Sequence, residues 1–410
     1  MRPESCALLD AERDFGELMS FSRRILFVAE SLGIGGTETH LLALLPLLKS
    51  AGFEVAVFCF TEKGARAATL EAEGIDVFAA PTVARRKRSL RAPFHLAGGA
   101  ATLFALIKGW RPSVAHFFLP GPYLVGAPVA ILAGVPLKVM SRRSLSDYQQ
   151  NWLGAAKLER ALHNRMDAIL GNSQAVVDEL VKEGAPESKV HLIYNGVRIT
   201  DACMSRVEAR AMLGIAPDAF VATMVGNLFP YKGHLDLVAS LAEIGDRLPR
   251  GWRVLCAGRD GGSGPDIARA IAEVKLGEHI HLLGERSDVP LILAASDIGI
   301  LASTRNEGFS NAVLESMAAG LPMVVTDIGG NAEAVINGET GWVVPPHNPQ
   351  PLAAAILKLA LDSNLRDLMG GLARERASHR FSLAASVAAY CALYESMLAA
   401  KDGLRHRPSR

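Results

Sequence analysis

Short apolar runs recur along this chain at intervals of a helix and two loops. Arg24-Ile-Leu-Phe-Val-Ala-Glu30 is the first and reads as a buried strand. It ends in Ser31-Leu-Gly-Ile-Gly-Gly-Thr-Glu38, a glycine loop that opens a helix over Thr39 to Ala51. Strands follow at Glu54–Phe60, Asp76–Ala80, Val114–Phe118, Leu137–Ser141, Ala168–Asn172 and Val190–Tyr194, with a helix near residues 65–73. Asn195 to Gly214 carries no strand pattern and is where a hinge is expected. A second series runs through Phe220–Val225, Trp252–Ala257, His279–Leu283, Ile298–Leu301, Met323–Thr326 and Gly341–Val344. Strands alternating with helices at this pace predict an α/β protein with parallel, doubly wound sheets. Two such halves imply a cleft outside the carboxyl ends of their strands. The expected layout is an extension over residues 1–20, domains over 21–200 and 201–382, and a last amphipathic helix that starts near Leu383 and crosses back to the first domain.

Length agrees with two domains, since 410 residues exceed one ordinary core. The formal net charge of +1 gives no global field for nucleic acid. Cys6, Cys59, Cys203, Cys256 and Cys391 are odd in number and form no C-x-x-C pair, which predicts reduced thiols, neither a disulfide framework nor a zinc site, and a cytoplasmic setting. Acidic residues near the start do not suit a signal peptide, and no charge-free run of eighteen apolar residues suits a bilayer span. Leu119–Leu137 comes closest, but its prolines and glycines predict loops and a short buried helix.

The most informative stretch is Glu307-Gly-Phe-Ser-Asn-Ala-Val-Leu-Glu315-Ser-Met-Ala-Ala-Gly320-Leu-Pro322. Ser310 suits an N-cap, Gly320 the position after the last turn, and Pro322 the stop, so a helix spans roughly residues 311–319. Its free N–H groups make an anion site, and Gly308 leaves the backbone open to a phosphate. A carboxylate accepts two hydrogen bonds and can hold a vicinal diol. With Glu307 and Glu315 there, a helix end for a diphosphate, one Glu for a ribose and one for a hexose would fit a nucleotide sugar.

Glu-x7-Glu, an alanine-rich helix, Gly-x-Pro, a strand and Gly-Gly-x-x-Glu together resemble the retaining GT-B glycosyltransferases, the group 1 and family 4 enzymes that include glycogen synthases and bacterial polysaccharide transferases. The resemblance spans nearly the whole chain and is strongest over residues 220–345. It implies two Rossmann-like domains, an acceptor site in the first and a nucleotide-sugar site in the second. It implies that Glu307 contacts the donor sugar, Glu315 the ribose, and backbone groups of Gly308, Phe309, Ser310 and Asn311 the sugar and phosphate. Val225-Gly-Asn-Leu-Phe-Pro-Tyr-Lys232-Gly233 resembles the Gly-Arg-Leu-x-x-x-Lys-Gly loop, in which Lys232 would neutralise the departing diphosphate. Asn227 stands where that loop has Arg, and Arg259 or Arg286 are candidates to replace the charge. Leu282-Leu283-Gly-Glu-Arg-Ser-Asp-Val289 resembles the loop that holds the base by backbone contacts. Taken alone, the loop Gly33-Ile-Gly35-Gly36 suits a tight strand–helix turn; the resemblance implies that it bends toward the donor phosphates and the acceptor.

His116 matches the first residue of a frequent His-x-His, and Phe118 replaces the second. An active-site role for His116 stands beside a hydrogen-bonded histidine at a strand end. Arg142 and Arg143 suit an acidic or phosphate-bearing acceptor or plain surface charge. Glu333 suits the sugar-side glycine loop or the N-terminus of its own helix. The basic cluster Arg85–Arg91 suits a solvated face or the inner membrane surface, with a glycan or lipid-linked acceptor. The resemblance implies no metal and no other cofactor, with donor and acceptor as substrates. Two rival functions share these motifs: a sugar-nucleotide epimerase, and a non-catalytic sugar-nucleotide-binding subunit.

Overall fold

The computed structural model describes residues 21–33, 35–81, 92–146, 149, 154–200 and 204–405. The N-terminal extension and the basic cluster lie outside the described residues. The first sheet has seven parallel strands: β1 (Arg24–Ala29), β2 (Glu54–Cys59), β3 (Asp76–Ala79), β4 (Val114–Phe118), β5 (Leu137–Arg142), β6 (Ala168–Gly171) and β7 (Val190–Leu192). Their order is β3-β2-β1-β4-β5-β6-β7. The second has β8 (Val221–Val225), β9 (Arg253–Ala257), β10 (Ile280–Gly284), β11 (Ile298–Leu301), β12 (Met323–Thr326) and β13 (Gly341–Val344), in the order β10-β9-β8-β11-β12-β13. Both are Rossmann-like. Each reverses its winding at one place, between β1 and β4 and between β8 and β11. The central strands read as continuous apolar runs because helices cover both faces. Phe27 and Phe118 pack on one face of the first sheet, and Leu26 and Phe117 on the other.

Two elements differ from expectation. Pro120–Ala133 is a helix of 14 residues and leaves little loop in the Leu119–Leu137 stretch. Pro120 and Pro122 occupy its first turn, where no N–H donor is needed, and Gly134 ends it in the left-handed region. The last helix, Leu383–Arg405, is by length and composition able to cross a bilayer. Here its Tyr390, Tyr394 and Leu398 are buried against Phe27, Phe53 and Phe118 of the first half.

The chain thus passes between the halves twice, and the two passages bind each other. Val197 N–H donates to the Phe381 carbonyl at 2.8 Å, and Leu383 N–H donates to the Val197 carbonyl at 2.8 Å. Gly196 permits this approach: a Cβ there would lie 2.6 Å from the Leu383 Cα and 2.8 Å from the Ser386 Cβ. Gly196→Ala is therefore expected to lower unfolding stability by about 1–3 kcal/mol, the usual range for overpacking, read from the denaturant midpoint.

Candidate functional site: a charged pair at the second switch point

Ligands of open α/β sheets bind where the winding reverses, because the loops part there. In the second half that point is flanked by the loops after β8 and β11. The first loop carries Gly226 to Gly233 and ends in the short turn Pro230–Lys232. Gly233 has φ +76°, and a Cβ on it would strike the Ala302 carbonyl of the second loop. The loops therefore lie back to back, which brings Lys232 and Glu307 together. Lys232 Nζ donates to Glu307 Oε2 at 2.7 Å, and Ser303 Oγ donates to the same oxygen at 2.7 Å. Burial alone would lower the Lys232 ammonium. The Glu307 charge and hydrogen bond, with Tyr231 beside them, outweigh it and hold the pKa above its ordinary value. The sequence reading gave these two residues separate partners; the fold makes them one ion pair.

Asn311–Ala318 forms the expected helix. Ser310 occupies its N-cap position but makes no side-chain capping bond, contrary to expectation. The terminal N–H groups of the helix are thus left to another acceptor. Gly308 also has a different reason. A Cβ there would meet the Arg143 carbonyl and lie 2.8 Å from Asn172 Oδ1, so the missing side chain admits the first half. Phe309 turns its ring away into an apolar cluster with Tyr194 and Phe381, at centroid distances of 4.9 and 5.1 Å. Across the cleft, Asn311 Nδ2 donates to the Gly36 carbonyl at 2.8 Å, so the glycine loop and the helix N-terminus meet. Gly35 is the N-cap of the helix Gly36–Ser50.

Glu315 is half-buried and has no hydrogen-bond partner among the described residues. Burial pushes its carboxyl up to about 7, against the opposing pull of Arg66. Arg66 reaches this place from the first half, where its Nη1 donates to Thr39 Oγ1 at 2.7 Å. The sequence reading missed it, since a lone arginine in a connecting loop carries no local signal.

The remaining candidates divide. Asn227 Oδ1 accepts the Arg259 backbone N–H at 3.3 Å, so the two are neighbours, and the Arg259 side chain is exposed. Arg286 is occupied by a two-pronged bond to Asp288, at 2.7 and 2.5 Å. Leu283 packs on a small cluster that includes Ala257 and Ile292, and Val289 opens the helix Val289–Ala295. The active-site reading of His116 is corrected. It is fully buried, with Nδ1 2.7 Å from the Tyr394 hydroxyl and Nε2 2.7 Å from the Ser141 hydroxyl. Burial and the Arg143 charge keep it neutral, with a pKa well below its ordinary value. Both ring nitrogens are used, so it pins the last helix to the first sheet.

The acceptor reading of Arg142 and Arg143 is corrected as well. Arg142 is 1% exposed and ion-paired to Glu159 at 2.6 Å and Glu183 at 2.7 Å. Arg143 points inward to Asn195 and lies 5.7 Å from the Phe118 ring centroid. Neither is free surface charge, because burial requires each to find fixed partners. Glu333 leaves its own helix and serves a helix of the other half. It accepts from the N–H groups of Gln174 at 2.7 Å and Ala175 at 3.0 Å, and from the Tyr194 hydroxyl at 3.0 Å.

Two Rossmann-like halves facing across such a cleft define the GT-B class of glycosyltransferases. Family models match both halves: "Glycosyltransferase Family 4" over residues 34–201 and "Glycosyl transferases group 1" over residues 205–376. A D-inositol 3-phosphate glycosyltransferase of Corynebacterium jeikeium is 30% identical over 69% of this chain and 71% of its own length. One from Streptomyces bingchenggensis is 26% identical over 90% of this chain and 87% of its own. In fold, the chain resembles Anabaena HepE, solved in complex with UDP, with a TM-score of 0.79 at 24% identity over 91% of this chain and all of that one. Sucrose-phosphate synthase of Thermosynechococcus elongatus has a TM-score of 0.77 at 20% identity, over 92% of this chain and all of that one. The chain belongs to the group 1 glycosyltransferase family, and it is a glycosyltransferase that uses a nucleotide sugar.

The raised Glu315 pKa has a sign that can be tested. In the unfolded chain the carboxyl ionises near its ordinary value of 4.5, and in the folded protein near about 7. Between these values the folded state binds the extra proton, so wild-type stability falls as pH rises through this window and levels off above it. Glu315→Gln removes the titration. Without ligand, its Tm relative to wild type should rise between pH 5 and pH 8; a pH-independent difference refutes the placement.

Proposed function

We propose that this protein moves a hexose, with retention of anomeric configuration, from a nucleotide diphosphate sugar to a glycan or lipid-linked acceptor in cell-surface polysaccharide synthesis. UDP-hexose is the first candidate donor and GDP-mannose the second. The observation that carries the reading is the Lys232–Glu307 pair beside the uncapped N-terminus of Asn311–Ala318. A cation and a row of free N–H groups suit the charge that grows on a departing diphosphate. They would take the electrostatic role that a metal plays elsewhere, so the reaction is proposed to need none. Glu307 would orient a sugar hydroxyl, and Glu315 the ribose diol.

In the proposed step the acceptor oxygen bonds to the anomeric carbon on the face that the phosphate leaves. The carbon–phosphate oxygen bond breaks, and the departing phosphate takes the acceptor's proton. Lys232 shares its charge with Glu307 in this structure. An arriving diphosphate would draw the ammonium toward itself and free the carboxylate for the sugar. The reaction is placed in the cytoplasm, at the inner membrane face where the acceptor is lipid-linked.

A second acceptor reading comes from the relatives, which are named for D-inositol 3-phosphate. The arginines that would have suited such a phosphate, Arg142 and Arg143, are held inside the first half. That favours the neutral glycan or lipid-linked class over the phosphate.

A thermal-shift panel of UDP-, GDP- and ADP-sugars is expected to show stabilisation by a UDP-sugar first. Transfer assays with inositol 3-phosphate and with a membrane lipid extract then separate the acceptor classes, and an inverted product anomer refutes retention. Donor turned over to an isomer without any acceptor would favour an epimerase. Lys232→Ala should cut turnover by about 10² or more, and wild-type turnover in that variant overturns the diphosphate placement.

A further inference from the structure

The hydrogen bonds that join the two halves form a continuous line from Arg143 and Asn195, which the donor reading does not use, to Asn311 and Gly36, which it does. Arg143 follows β5, is 8% exposed, and lies close to Tyr390 of the last helix. Its Nη2 donates to Asn195 Oδ1 at 2.6 Å. Asn195 follows β7 at the passage between the halves and is 3% exposed. Its Nδ2 donates to the Phe309 carbonyl at 2.7 Å and to Asn311 Oδ1 at 2.7 Å. Asn311 in turn donates to the Gly36 carbonyl. The first turn of the helix Asn311–Ala318 is therefore gripped by the first half from two sides.

A guanidinium has only donors. Arg143 can therefore bind only the oxygen of the Asn195 amide, which forces the NH₂ group to face Phe309 and Asn311. Arg143 thus decides which way the crossing bond is made. We propose that Arg143 and Asn195 are positioning residues that hold the cleft closed, fixing the first turn of Asn311–Ala318 at its distance from Gly36. The proposal rests on the reading of that turn as the place of the donor phosphates. Opening the cleft exchanges these crossing bonds for bonds to water, so they bias it toward closure only modestly.

Asn195→Asp separates this role from plain packing. Aspartate keeps the shape and strengthens the bond to Arg143, but turns an oxygen toward the Phe309 carbonyl and Asn311 Oδ1. If Asn311 flips to meet it, the bond to Gly36 is lost instead. A residue that merely fills space tolerates Asp better than Ala; a residue that holds the seam tolerates Asp worse. Hydrogen exchange of the unliganded full chain reads the difference. In Asn195→Asp the amides of residues 308–314 should exchange about tenfold faster than in wild type or more, with Asn195→Ala between the two and β9 unchanged.

Exchange at 308–314 within about twofold of wild type, an Ala variant faster than Asp, or equal acceleration everywhere overturns the proposal. Arg143→Met keeps a side chain of similar reach and removes every donor. It should accelerate the same segment, and its failure to do so is equally decisive should the Asp variant not fold. A wild type that does not bind UDP refutes the UDP reading alone, since the exchange comparison needs no ligand.

Discussion

The site depends on how the chain passes between its halves. Two passages are made, at Val197 and at Ser382, and they pair as neighbouring extended segments. That pairing, through Gly196, fixes the end of β7 to the start of the last helix. The last helix is anchored on the first sheet by Tyr390, Tyr394 and the buried His116. The first half thus includes a segment from the far end of the chain. Everything at the cleft is measured from this crossing.

At the second switch point, electrostatics decide the arrangement. The Lys232–Glu307 pair is largely buried, with side-chain exposures of 16% and 10%. Buried pairs contribute little net stability, since desolvation offsets attraction, but removing one partner leaves an unpaired charge. In the proposed donor site such a pair would be a store of two charges, each held by the other until a ligand separates them. Glu315 shows the opposite solution: burial without a close partner raises its pKa, so the carboxyl waits close to neutrality.

Glycines at the seam act by what they omit. Gly308 lies against the Arg143 carbonyl, and Gly330 against Phe309 and Ser173. Both seat the loop carrying Glu307 between its own half and the other. Glu333 adds a carboxylate to the N-terminus of Gln174–Lys182, where a negative charge is favoured. The closed cleft is thus held by small residues and directed polar bonds, a mixture suited to opening and closing.

The strands, both sheets and the helix after Glu307 were legible in the sequence because they rest on local signals: apolar runs, glycine loops, and the stop at Gly320 and Pro322. That the loops carrying Lys232 and Glu307 meet beside the helix Asn311–Ala318 was legible through motif spacing. Which partner each side chain takes was not. His116 lies in the middle of β4, and Arg142 and Arg143 at the end of β5; their partners Tyr394, Glu159 and Asn195 come from other elements, which the local pattern does not name. Asn195 had no signal beyond its place after a strand. Local patterning determined which elements form and where the cleft must open. The pairing of charges across loops and halves was decided only by tertiary structure, because a buried polar group must take whichever partner the fold brings within reach.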